Sequence, residues 1–129
     1  MILAIMSVMM QWSAAQLSIT TNMRQDALWD NASESWEVLA TDENPTTLLF
    51  DKELTSFKHT TATITSMYTI LDWDYNEEEV KYTMKVKSDA NNEYEMIIDG
   101  INNCVAFFYW KDNNYILVRH TIQDSHFEE

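Results

Sequence analysis

Three residue types are nearly missing from this chain of 129 residues: it has one glycine, Gly100, one proline, Pro45, and one cysteine, Cys104. A single glycine cannot build a P-loop, a dinucleotide-binding turn or a G-x-S-x-G nucleophile elbow, because each needs several glycines where backbone meets phosphate or turns sharply. A single cysteine forms no intramolecular disulfide, so this is no disulfide-stapled miniprotein and the redox compartment stays open. Basic residues are scarce too, with 8 Lys and Arg against 21 Asp and Glu, a formal charge of −13. Such a field repels phosphate backbones and anionic lipid surfaces, so neither nucleic acid nor a membrane surface is an expected partner.

What is present is apolar material, at 46% of residues, including five tryptophans. That is enough for the core of one domain and too little chain for two. Met1 to Met10 is apolar apart from Ser7, and Ser13 and Ala15 supply the small side chains that signal peptidase requires ahead of Gln16. The run is shorter than the ~20 residues of a membrane-spanning helix. Its departure from the usual pattern is an n-region without Lys or Arg, and the competing reading is a buried first strand or short core helix. The expected organisation is a signal peptide over 1–15 and a single antiparallel β domain over 16–129. The mature form is expected to be secreted or periplasmic, monomeric and not inserted in a membrane.

With so little glycine, turns must come from Asn, Asp and Ser, which tolerate left-handed backbone and bond locally to it. They cluster at Asn31 to Ser35, Asp42 to Asn44, Asn76 to Glu78, Ser88 to Asn92, Gly100 to Asn103 and Asp112 to Asn114. Between them lie β-branched and aromatic runs. The clearest unit is Val80 to Asp99. Folded as a hairpin around Ala90, it sets Lys87, Lys85 and Lys81 against Glu93, Glu95 and Asp99 on one face, with Val86, Met84 and Tyr82 against Tyr94, Met96 and Ile98 on the other. A one-residue slip would scramble both faces, so the register is specified.

Cys104 to Trp110 is apolar on both faces and reads as a central strand, paired with Tyr115 to Ile122 across Lys111 to Asn114. On that partner Ile116, Val118 and Ile122 face one way with His120 among them. The tail from Gln123 to Glu129 is polar and is expected to fray. Upstream, Leu28 to Asn31 pairs with Trp36 to Ala40, Thr46 to Asp51 pairs with Thr55 to Thr60, and Ala62 to Tyr75 forms a bent strand; Met23 to Trp29 has room for a helical turn. About eight short strands in an antiparallel meander imply an all-β barrel or a two-sheet sandwich.

No motif for catalysis stands out. Asp72, Asp74 and Asn76 have the spacing that opens an EF-hand loop, but Glu77 stands where glycine is needed and Thr83 where a bidentate Glu is needed, leaving at most a weak cation site. His59, His120 and His126 lack zinc-ligand spacings. Cys104, between apolar neighbours, reads as an inert small hydrophobe. Asn31-Ala32-Ser33 forms a glycosylation sequon that matters only in a eukaryotic host.

The aromatic and methionine content suggests a ligand cavity, for which Trp73, Tyr82, Met84, Tyr94, Met96 and Phe108 are the candidate lining residues. At the level of fold alone, a meander of short strands behind a leader resembles the lipocalin-like binding barrels, and no motif residue carries the likeness. The expected function is an exported, non-enzymatic binding protein without cofactor, holding a hydrophobic small molecule or engaging a protein partner. The alternatives are a surface-interaction module acting through an exposed sheet edge, and a hydrolase using dispersed carboxylates.

Overall fold

Alternating apolar residues and Asn/Asp-rich turns resolve into nine antiparallel strands: β1 (Gln16–Asp30), β2 (Ser35–Asp42), β3 (Thr46–Phe50), β4 (Ser56–Thr60), β5 (Thr65–Asn76), β6 (Lys81–Ser88), β7 (Glu93–Asp99), β8 (Cys104–Lys111) and β9 (Asn114–Glu128). The computed structural model describes residues 16–128, and the expected leader at 1–15 lies outside them. Strands β3 to β9 pair in sequence order and β1 pairs with both β3 and β9, so eight strands close into a barrel. Closure decides between barrel and sandwich, and it removes most of the sheet's edges.

The ninth strand, β2, pairs only with β1. It lies end to end with β3 along the same neighbour: Arg24 to Asp30 face β2, whereas Ser18 to Thr21 face β3. Pro45 sits in the break between them, where its missing N–H interrupts no ladder.

The Val80 to Asp99 hairpin has the predicted register at all six pairs, from Lys87 opposite Glu93 to Lys81 opposite Asp99. Of the three charge pairs, only Lys81 and Asp99 approach, at 4.0 Å. The other two face each other without closing, as exposed pairs that contribute little commonly do.

Two expectations are corrected. Met23 to Trp29 is strand rather than helical turn, because it is clamped between β2 and β9. The tail does not fray either: Asp124 lies opposite Thr20 and Phe127 opposite Leu17. It is the strand that closes the barrel, and its partner is more than a hundred residues away in sequence, beyond any local pattern.

The inward side chains pack into one cluster in which Ile19, Leu48, Phe50, Val86, Met96 and Val105 lose all contact with solvent. A second cluster, Ala27, Ala106 and Leu117 under Trp36 and Phe108, lies on the outer face. That outer cover explains why β8 is apolar on both sides.

Left-handed turn positions fall on Asn91, Asn103, Asp112 and Asn113, the residue types expected, but also on Glu34, Leu54 and Val80, the last at φ 51°. Gly100 is not among them. It is needed for close approach: a Cβ there would stand 2.7 Å from Val80 Cγ1 and 2.9 Å from the Val80 carbonyl oxygen, which accepts the Gly100 N–H. Gly100→Ala is therefore expected to destabilise the barrel by about 1–3 kcal/mol. Urea denaturation checks this, and an unchanged midpoint would show that the two turns separate freely.

Candidate functional site

At one end of the barrel the interior changes from aliphatic to polar, and strand register determines which side chains meet. Arg24 on β1 stands opposite His120 on β9, and Thr21 on β1 opposite Thr46 on β3. The Thr21 and Thr46 hydroxyls bond at 2.7 Å, and Thr46 Oγ1 lies 3.2 Å from Nε2 of His59 on β4. The His59 and His120 rings meet edge to face with centroids 5.3 Å apart. Arg24 Nη2 donates to Asp26 Oδ1 at 2.9 Å. Tyr68, Tyr94, Phe107, Tyr109 and Val118 complete the wall of a cavity of about 210 Å3.

Burial holds both imidazoles neutral. Loss of water, reinforced by the Arg24 charge, pushes His59 down to about 4. His120 also falls to about 4, first through burial and then through His59 and Arg24, with Asp26 opposing. Burial raises the Tyr68 phenol, helped by Tyr94 and Asp89. The site at neutral pH thus holds the Arg24–Asp26 ion pair and two neutral imidazoles beside the Tyr68 phenol. His120 is 1% exposed and its Nδ1 is buried without a hydrogen-bond partner. An unmatched buried polar atom costs about 1–3 kcal/mol.

Beside the cavity the wall is notched. Pairing of β7 with β8 ends at Glu95 and Phe108, so Glu93 and Tyr94 splay from Tyr109, Trp110 and Lys111. Two open clefts of about 540 and 590 Å3 occupy the notch. Tyr94 and Tyr109, 5.2 Å apart between ring centroids, line both the clefts and the cavity.

The six side chains proposed from sequence as ligand-lining do not form one group. Tyr94 lines the cavity. Tyr82, Met84 and Met96 are buried in the core. Trp73 is exposed on β5, its ring tilted against that of Tyr82 at 5.9 Å between centroids. Phe108 lies on the outer face, against Trp36. Sequence reasoning missed the grouping of Arg24, His59, Tyr68 and Tyr109. One signal was present: His120 on the apolar stripe of its strand is a buried polar residue, the informative kind.

The remaining candidates are placed as follows. Asp72 and Asp74 are exposed on β5, and Asn76 Oδ1 accepts the Glu79 N–H in the turn. Among the described residues, no three His, Cys, Asp or Glu converge on a metal position. Cys104 is half-buried, and burial followed by the Asp99 charge raises its thiol. His126 Nδ1 lies 2.8 Å from Asp124 Oδ2, away from the cavity. No protein-family model, curated protein or solved structure matches the chain.

Proposed function

We propose that this is an exported, non-enzymatic binding protein that holds a small, uncharged, ring-sized molecule in the cavity at the polar end of its barrel. Export rests on the apolar leader and the Ser13/Ala15 cleavage pattern. Binding rests on one observation: a cavity walled by the aromatic rings of Tyr68, Tyr94, Phe107 and Tyr109, with the neutral imidazoles of His59 and His120 among its lining. Apolar walls with a few polar groups characterise small-molecule sites.

The volume, equal to roughly seven liquid waters, limits the ligand to about one ring and one functional group. Electrostatics favour a neutral molecule. The Arg24 charge is already met by Asp26, and the chain's −13 charge opposes entry of an anion. A hydroxyl or carbonyl can exchange hydrogen bonds with the imidazole and phenol groups that line it.

Catalysis is a weaker reading of the same residues. Thr46 and His59 form a hydroxyl–imidazole pair, but an imidazole at about 4 is a poor base at neutral pH. Among the described residues, no carboxylate accepts a hydrogen bond from the His59 ring to orient it, as the triad arrangement needs.

Phenol and benzoate, matched in ring size but not in charge, test the reading. Phenol is expected to raise Tm saturably by mass action, and benzoate to do so far less. Val118→Phe, which projects a ring into the cavity, should abolish the phenol effect while leaving a folded barrel by circular dichroism. Equal stabilisation of the Val118→Phe protein would place binding elsewhere and overturn the assignment.

A further inference from the structure

We propose that the open edge of β2 docks an extended segment of a partner protein in which apolar and basic side chains alternate. β2 is bonded to β1 along one edge only, and among the described strands it is the one outside the closed ring of eight. Its eight residues are almost all exposed, including Val38 at 50% and Leu39 at 60%. Unpaired N–H and C=O groups along an edge are a template for another strand.

The two faces of β2 differ, and that difference specifies the partner. Register sets Trp36 opposite Trp29 and Val38 opposite Ala27, both on the outer face. From there an aromatic belt continues: Trp36 contacts Trp29, Phe108 and Tyr115 at centroid distances of 5.3, 6.0 and 5.6 Å, and Tyr115 stacks on Trp110 at 4.8 Å. The opposite face carries Glu37. Around it, Asp30, Glu34, Asp42 and Glu43 add negative charge, and residues 30–45 contain no Lys or Arg.

A strand added to this edge would lay one set of alternating side chains beside Trp36 and Val38 and the other beside Glu37. Apolar residues suit the first position and basic residues the second. A second copy of the chain is the wrong occupant, because it would bring Glu37 and its acidic surroundings against their own kind on two molecules of charge −13.

The test uses the full chain and two synthetic octapeptides, one alternating valine with lysine and one alternating valine with glutamate. Hydrogen exchange read by mass spectrometry is expected to show saturable protection of Trp36 to Thr41 by the lysine peptide and none by the glutamate peptide. Val38→Lys combined with Leu39→Lys, at exposed positions that leave the core intact, should weaken binding at least tenfold with Tm unchanged. Equal protection by both peptides would overturn the proposal. So would protection confined to the other exposed strand segment, Leu71 to Asn76, or attraction without any exchange protection. Concentration-dependent protection of β2 with no peptide present would assign the edge to self-association instead.

Discussion

Lowering the pH from 7 to 5 should cost the barrel roughly 3 kcal/mol of stability, most of it through His59 and His120. Both imidazoles sit at about 4 in the folded protein, below the ordinary 6.5 of the unfolded chain. Between those values the unfolded chain takes up protons that the folded barrel refuses. The contribution is therefore complete above about pH 6.5 and is lost progressively as pH falls towards 4. The two carboxylates held below their ordinary value, Asp51 and Asp99, act lower on the scale. Desolvation raises each, but Asp51 is lowered further by hydrogen bonds from Thr55 and Ser56, and Asp99 by bonds from Asn102. Their stabilisation fades only as pH drops through about 3.8, outside the histidine window. Urea denaturation at pH 7, 6 and 5 reads the effect directly. His59→Phe should remove about half of the slope, whereas a flat profile in the parent protein would mean that the imidazoles are not buried neutral.

Phe57→Ala should have the largest effect of any single substitution discussed, about 3–5 kcal/mol. Phe57 is 1% exposed and is held on three sides: Phe50 at 4.9 Å, Tyr68 stacked at 4.6 Å and Phe107 at 6.4 Å between centroids. Barrel closure fixes the strands around it, so the vacated space cannot collapse. Tyr68 and Phe107 also form the wall of the cavity at the polar end, so on the binding proposal the surviving folded protein should lose the phenol response as well. A loss below about 1 kcal/mol by chemical denaturation would show that this ring cluster repacks freely.

Local physics carried much of the fold into the sequence. The β6–β7 hairpin was readable because two faces with opposite chemistry agreed on one register, and the β8–β9 pair because Asp112 to Asn114 marked its turn. Closure was not readable. It depends on β1 meeting β9 across nearly the whole chain, and the polar residues Gln123, Asp124 and His126 mask the inward Ser125 and Phe127. Nor does alternation reveal that β2 and β3 share one neighbour.

The site was less legible than the fold. Its residues come from strands β1, β4, β5, β7, β8 and β9, and only closure brings Arg24, His59 and His120 to one end. Aromatic and methionine content pointed to a cavity but could not distinguish Met84 and Met96, which fill the core, from Tyr94, which borders the space. Phe108 was ambiguous for another reason: its strand is apolar on both faces, and which face turns inward depends on partners on β1 and β2.

Native mass spectrometry of the protein, after exposure to a small-molecule extract of its natural host, tests the binding assignment most directly. A reproducible small adduct, lost on denaturation and absent from the Val118→Phe protein, is the predicted result and would supply the ligand's identity. A bare protein mass under all conditions, or an adduct retained by Val118→Phe, would contradict it.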